Sequence, residues 1–192
     1  CKQGGKLVAG SNAHLSRRVM ASSAATARLQ AERKSWRKDH PDNFVAKPTI
    51  KPDGSTNLLL WEIKVPAKSS SLWAPGIFSA TMRFTEEYPE RPPEVRFDKV
   101  DGKVLCHPNV YDNGGVCLSI INPPESTHGY GKGGTWGPSI TIKQVLLALQ
   151  AFFDEPNIHS PAQQEAYLLF TKNRPEYERR VKAQVALVEH IP

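Results

Sequence analysis

Residues 76–84, GIFSATMRF, alternate between two sets of side chains, and this alternation limits the fold more than any other feature of the sequence. One set is Phe78, Ala80, Met82 and Phe84, and the other is Ile77, Ser79, Thr81 and Arg83. A period of two is typical of a half-buried antiparallel strand. Two strand-like segments precede it, FVAKPTI at 44–50 and NLLLWEIKVP at 57–66, with a Pro-Asp-Gly turn signal between them. These segments predict a β-meander.

Prolines limit what can follow the meander. In YPERPPEVRF, Pro89, Pro92 and Pro93 exclude a helix and leave only EVRF, residues 94–97, as a short fourth strand. Residues 98–139 have no convincing periodicity. Long irregular segments in compact domains are usually functional, so we expect the chemistry here.

Helical periodicity flanks the strands. Residues 23–40 place Ala25, Leu29 and Trp36 at helical spacing, and Arg33, Lys34, Arg37 and Lys38 form a cationic face. A core-facing helix is predicted from Ile142 to Phe153, another in SPAQQEAYLLF with a capping box on Ser160, Pro161 and Gln163, and a last one over 175–190. The order of elements predicts an α+β fold.

Charge and cysteine content narrow the class of protein. Residues 1–40 carry nine Lys/Arg against two acidic groups, so most of the net charge of +6 is N-terminal and an acidic partner is expected. Exposed aromatic residues are not interleaved with these basic residues, which argues against direct nucleic-acid binding. Three cysteines without a CxxC pair indicate a reducing compartment, and no apolar run is long enough for a membrane span. We expect residues 1–22 to be a disordered leader, with Met20 a possible start, and residues 23–192 to form one domain.

Cys117 is the candidate reactive group. Cys106, His107 and Cys117 supply at most three ligands, too few for structural zinc, and no histidine in the sequence is marked as the base of a cysteine nucleophile. The glycine-rich HGYGKGGTWGP lacks the strand and helix of a P-loop and is expected to be a mobile loop. A buried core thiol is the plain alternative. Asn109 favours acyl transfer from a thioester, because its amide could donate to an oxyanion and Gly114 and Gly115 would let a bulky acyl donor approach.

These motifs resemble the ubiquitin-like-protein conjugating enzymes. YPERPPEVRF resembles the YPxxPP segment of that family, HPNVYDNGGVCL its HPN signature ten residues before the active cysteine, and WGPSITIKQVLLALQ its helix entry after the cysteine. Within the family, residues 27–48, 51–62, 155–167 and 173–184 are most similar to the SUMO-conjugating members. The resemblance spans about Leu29 to Val185.

The resemblance implies an activity and a fold. The fold is the ubiquitin-conjugating enzyme fold, with an N-terminal helix, a four-stranded meander, a long active-site loop and C-terminal helices. Cys117 would accept SUMO from the activating enzyme as a thioester and pass it to substrate lysines, helped in cells by SUMO ligases, in the nucleus and cytoplasm. No cofactor and no metal are implied.

The resemblance also assigns roles to single residues. Asn109 would steady the loop and the developing oxyanion. Tyr111 would line the groove for the incoming lysine, with Pro161 and Tyr167 across from it. The basic surface of Arg33, Lys34, Arg37 and His40 would meet the activating enzyme and a second, non-covalent SUMO.

Several positions depart from the pattern of the resembled enzymes. Ser160 stands where they have an aspartate that positions the lysine, so we expect reduced assistance from a hydroxyl, or a helix cap and nothing more. Glu94, Asn113 and Gly115 replace a lysine and two hydroxyls that read the acid of an apolar-Lys-x-Glu motif, so we expect weaker dependence on that acid, with Arg96 or a ligase taking over. Residues 98–106 and 121–138 look longer than the pattern. A ubiquitin-conjugating enzyme and an inactive modifier-binding scaffold stay open as alternatives.

Overall fold

The computed structural model describes residues 10–125 and 133–191, with side chains from residue 24 onward. The elements in chain order are α1 Gly10–Lys38, β1 Val45–Ile50, β2 Thr56–Pro66, β3 Gly76–Arg83, β4 Glu94–Phe97, α2 Ile142–Phe152, α3 Gln164–Lys172, α4 Arg174–Val185 and β5 Glu189–His190. A single 3-10 turn, Ser119–Ile121, interrupts the long loop before α2. The α+β layout predicted from periodicity is confirmed.

The four predicted strands form an antiparallel sheet in the order β1-β2-β3-β4. The alternation in β3 is confirmed from Phe78 onward, since Phe78, Ala80 and Met82 are buried and Ser79 and Arg83 are exposed, but Ile77 is buried as well. The buried face packs against α2, where all six residues predicted to face the core are buried: Ile142, Val145, Leu146, Leu149, Phe152 and Phe153.

Helix α1 is longer than predicted. It begins at Gly10, so residues 10–22, which we expected to be disordered, are helical. The expected start at Ser23 was based on apolar periodicity, whereas residues 11–40 contain neither glycine nor proline and are rich in alanine, the best helix former. From residue 24 onward, Ala25, Leu29 and Trp36 are buried as predicted. Residues 1–9 lie outside the described chain.

Glu32, which the sequence did not mark, joins α1 to α2. Its carboxylate is buried, forms an ion pair with Arg28 at 2.6 Å, and accepts a hydrogen bond of 3.2 Å from the Ile142 backbone N–H. Ile142 is the first residue of α2, so a negative charge meets the positive end of the helix dipole.

The C-terminal helices differ from the prediction at the start of α3 and at the end of α4. Helix α3 is capped by Gln163 without a side-chain hydrogen bond, so the capping box expected at Ser160 is wrong. The N–H groups of Ala162 and Gln163 instead donate to the Pro108 carbonyl at 2.7 and 3.0 Å. These bonds attach residues 162–163 to the loop at Pro108. Helix α4 ends at Val185 rather than near His190, and Glu189 and His190 pair instead with Ile77 and Gly76 at the start of β3, which β4 does not cover.

Within the described residues, no helix is long and apolar enough to cross a membrane.

Candidate active site

His107 is buried and supports the loop that leads to Cys117. Its Nδ1 accepts a hydrogen bond of 3.1 Å from the Asn109 N–H, and its Nε2 lies 2.9 Å from the Phe152 carbonyl. Burial lowers the pKa of His107 to about 3, and the hydrogen bond to Phe152 offsets only part of that effect. The imidazole is therefore neutral, with Nδ1 as acceptor and Nε2 as donor, and it fixes the turn to the end of α2.

Asn109 is buried, and its whole amide group is used within the protein. Its Nδ2 donates to the carbonyls of Asn157 at 2.9 Å and Ser160 at 3.0 Å, while its Oδ1 accepts from the Asn157 N–H at 2.7 Å. An amide NH₂ has two hydrogens, so both donors are already committed. The geometry makes Asn109 a clamp on residues 157–160 and leaves no free donor directed at an oxyanion.

A tight hairpin carries the chain from Asn109 to Cys117. The Gly114 N–H donates to Tyr111 O and the Tyr111 N–H donates to Gly115 O, each at 2.8 Å. The hairpin attaches to β4 because the Phe97 N–H donates to Gly114 O at 2.9 Å and the Val116 N–H donates to Val95 O at 3.0 Å. The Cys117 N–H then donates to Asn109 O at 2.9 Å. The thiol thus sits at the end of a rigid frame.

Gly114 serves this frame rather than an acyl donor. Its φ of +84° is in the left-handed region, and a Cβ there would lie 2.6 Å from the Phe97 carbonyl oxygen. A Cβ on Gly115 would meet the Asn113 side chain at 2.9 Å. The expectation that Gly114 clears space for an incoming group is wrong, because its close approach is to the protein's own backbone, whereas Gly115 also lines a groove beside Tyr111 and its expected role stays a prediction.

The two described cysteines have different surroundings. Cys117 is half-exposed and lines a cavity of about 710 Å³ together with Asn109, Ser119, Asn122, Glu155, Asn157, His159 and Ser160. Cys106 is buried, and burial raises the pKa of its thiol to about 11. Only the thiolate is a good nucleophile, so Cys106 has the character of a core residue, and Cys117 is the more accessible of the two described thiols.

Tyr111 adjoins the Cys117 thiol. Burial, followed by a hydrogen bond with Cys117, raises the pKa of the Tyr111 hydroxyl to about 12. The phenol is therefore protonated at neutral pH and forms one wall beside the sulfur.

Other candidate residues lie at different distances from the sulfur. Ser160 is half-buried and lines the Cys117 cavity, and exposed Pro161 follows it in the chain. Tyr167 lies half-buried on α3 and is not among the described residues that line the cavity. Glu155 and His159 do line it, although the sequence analysis did not select them. The resemblance could have pointed to both residues, because they lie in the EPNIHSPAQQEAY segment.

Comparison with known proteins identifies this arrangement. Residues 28–185 match the family model described as ubiquitin-conjugating enzyme. The chain belongs to the ubiquitin-conjugating enzyme family. Among curated members, it is 46% identical over 160 residues to "Sumo-conjugating enzyme ubc9" of Dictyostelium discoideum, covering 83% of this chain and 92% of that protein. It is also 46% identical over 165 residues to "SUMO-conjugating enzyme SCE1" of Arabidopsis thaliana, covering 86% and 95%. The predicted extent of resemblance agrees with the matched range.

A second groove of this family member, about 540 Å³ in volume, opens on the other side of Tyr111. Its apolar floor includes Pro93, Val95, Val116 and Ile121, and its rim carries Glu87, Arg91, Glu94, Arg96 and Asn113. The structure thus brings Arg96 together with Tyr111 and with Glu94, Asn113 and Gly115, the three positions that replace the acid-reading residues of the resembled enzymes.

The basic residues of α1 form one exposed surface. Arg33, Lys34 and Arg37 line a depression of about 440 Å³ with Gln30 and Lys38. None of the three forms an ion pair with a described side chain. The ring of His40 stacks on Trp36 with centroids 5.4 Å apart, which extends this cationic surface past the helix end.

The described residues contain no group of three His, Cys, Asp or Glu side chains placed to hold a metal ion.

Proposed function

We propose that this protein is a SUMO-conjugating enzyme that carries SUMO as a thioester on Cys117 and transfers it to substrate lysines. The observation that carries the proposal is the half-exposed Cys117 thiol at the head of a 710 Å³ cavity, with the other described cysteine buried. The names of the two similar proteins, from an amoeba and a plant, favour SUMO over ubiquitin as the modifier.

The transfer step needs little from a general base. The lysine amine attacks the thioester carbonyl, a C–N bond forms, the C–S bond breaks, and the sulfur leaves as a thiolate while the amine proton passes to solvent. A free lysine has a pKa of about 10.4 and is mostly protonated at neutral pH, so the site must desolvate it. Tyr111, which adjoins the sulfur, and Ser160, which lines the Cys117 cavity, are the proposed lysine contacts, together with Pro161 and Tyr167.

Ser160 and Asn109 then have supporting roles. The Ser160 hydroxyl can accept a hydrogen bond from the amine, although it lacks the charge of a carboxylate. Asn109 holds the Ser160 backbone in place through its 3.0 Å hydrogen bond, and it could donate to the oxyanion only by releasing one of its two carbonyl partners.

The cationic surface of α1 is the proposed docking site for the SUMO-activating enzyme and for a second, non-covalent SUMO. Three cations that have no ion-pair partner among the described side chains, Arg33, Lys34 and Arg37, with His40 beside them, suit an acidic partner surface. SUMO ligases and substrates would meet the groove side of the protein, in the nucleus and cytoplasm.

One charging reaction tests the modifier. The protein is incubated with ATP and either the SUMO-activating enzyme with SUMO or the ubiquitin-activating enzyme with ubiquitin, and the products are separated without reductant. We expect a reductant-sensitive adduct with SUMO. An adduct with ubiquitin alone would establish the ubiquitin-conjugating alternative, and no adduct with either modifier would favour the non-catalytic scaffold.

A further inference from the structure

The charged side chains around the groove beside Tyr111 bear on whether the protein prefers substrates with an acidic residue near the lysine. Its apolar floor and its position against the Cys117 neighbour suit an extended peptide that presents a lysine to the sulfur. Two guanidinium groups, Arg91 and Arg96, line it. Two free cations this near the reaction centre would favour substrates with an acid close to the lysine.

Both guanidinium groups are opposed by carboxylates of the protein itself. Arg91 lies 3.4 Å from Glu87 and 2.6 Å from Glu125. Arg96 lies 3.9 Å from Glu94, its neighbour but one on β4. Counting described side chains alone, Arg91 has two acidic partners and Arg96 has a single, loose one. Glu94 and Arg96 both have about half or more of their side-chain surface exposed, at 66% and 49%, so both reach the solvent that a substrate would displace.

We propose that Glu94 masks Arg96, so that the groove accepts substrate segments without a requirement for an acidic residue after the lysine. This inference rests on the proposed transfer to lysine. A substrate carboxylate that approaches Arg96 must compete with Glu94 and is repelled by it, and these two effects cancel most of the attraction of the guanidinium. Glu94 is thus a specificity-determining residue that acts through its neighbour.

The test compares two peptides that differ only at the second position after the acceptor lysine, one with Glu and one with Gln. The charged enzyme is mixed with each peptide, and kcat and KM for discharge are measured at low salt. For the unmodified protein we expect the two kcat/KM values to agree within about twofold, the range of exposed charge pairs. For Glu94→Gln we expect a preference for the Glu peptide of about three- to fivefold, expressed in KM because the contact is made on binding.

Two further variants assign the effect to Arg96. In the double variant Glu94→Gln, Arg96→Gln the preference should disappear. A preference that survives there would assign it to another cation, such as Arg83, the register partner of Glu94, and would overturn the proposal. Glu87→Gln is the matched control, because Arg91 keeps Glu125 as a partner and no comparable preference should appear.

A preference of about threefold or more for Glu in the unmodified protein, the size expected for an unmasked Arg96, would also contradict masking. The experiments distinguish a failure of this inference from a failure of the proposed function. Charging with SUMO or ubiquitin is measured first, and the peptide comparison is made with whichever modifier loads Cys117. If neither modifier loads, the groove is not a substrate site and both proposals are wrong.

Discussion

At the scale of single residues, the hydrogen bonds of Asn109 separate two roles that the sequence analysis assigned to it together: steadying the loop and donating to an oxyanion. Its three hydrogen bonds to residues 157 and 160 stabilise the wall of the Cys117 cavity. Removing this clamp should therefore both loosen the cavity wall and lower the stability of the protein.

We therefore expect Asn109→Ala to lower the free energy of unfolding by about 2–3 kcal/mol, since buried carbonyls lose their donors, and to slow transfer from charged enzyme. Urea denaturation and single-turnover discharge measure the two effects. Asn57→Ala is the control, because the Asn57 side chain accepts the Leu59 N–H within β2 and lines neither the Cys117 cavity nor the groove beside Tyr111. Loss of transfer with unchanged stability and unchanged amide exchange at 157–160 would instead show that its donors serve the reaction.

The sequence singled out the candidate reactive residue but not the residues that support it. Cys117 and Asn109 could be found because their spacing is local and resembles a known motif. The partners of Asn109, the ion pair of Arg91 with Glu125 and the bridge made by Glu32 depend on contacts between residues far apart in the chain. No local periodicity encodes such contacts, and residue identity alone does not tell whether a charge is free or paired.

At the scale of elements, the frame from Phe97 to Cys117 depends on one backbone conformation. Gly114 has a φ of +84°, and Gly54 has a nearly equal φ of +81° in an exposed turn where a Cβ would meet nothing within 4 Å. The two positions therefore differ in steric surroundings and share the same backbone strain.

Gly54→Ala should cost about 1–2 kcal/mol from strain alone, and Gly114→Ala should cost more because its Cβ also clashes with the Phe97 carbonyl. Thermal unfolding gives the stabilities, and discharge of the thioester should slow only for Gly114→Ala. Equal costs at the two positions would mean that the hairpin can move away from β4 without penalty.

Helix starts show where local signals succeed and where tertiary contacts override them. Ser160 looks like a cap, yet its segment is held by Asn109 and Pro108, and the true capping box joins Thr141 and Gln144 at the start of α2. The strands, by contrast, were predicted nearly to the residue, because alternation and proline breaks are local properties. The short β5 was missed since two residues carry no periodicity.

Thr141→Ala should accordingly lower the free energy of unfolding by about 1 kcal/mol, the usual value for losing a side-chain cap. Ser160→Ala should leave stability within about 0.5 kcal/mol of the unmodified protein. Equilibrium unfolding in urea compares the two. A larger cost for Ser160→Ala would restore Ser160 as a structural cap.

At the scale of the whole molecule, His107 makes stability depend on pH. Its pKa is about 3 in the folded protein and near 6.5 when unfolded, so between these values the unfolded chain binds the extra proton. Stability is therefore gained as pH rises toward 6.5 and lost as pH falls below it. The loss from this group approaches about 1.4 kcal/mol per pH unit.

His107→Gln removes this titration, although it also lowers stability at neutral pH by disturbing the turn. We expect its free energy of unfolding to fall less steeply than that of the unmodified protein between pH 6 and 4.5. Denaturant titrations across that range give the slopes. Parallel slopes would show that His107 accepts its proton within the native fold.

The central claim concerns which sulfur carries the modifier, and the adducts of two serine variants test it most directly. After charging with ATP, activating enzyme and SUMO, Cys106→Ser should give a reductant-sensitive adduct like that of the unmodified protein. Cys117→Ser should give an oxyester that survives reductant. A folded Cys106→Ser protein that cannot be charged, or a reducible adduct that persists in Cys117→Ser, would contradict the account.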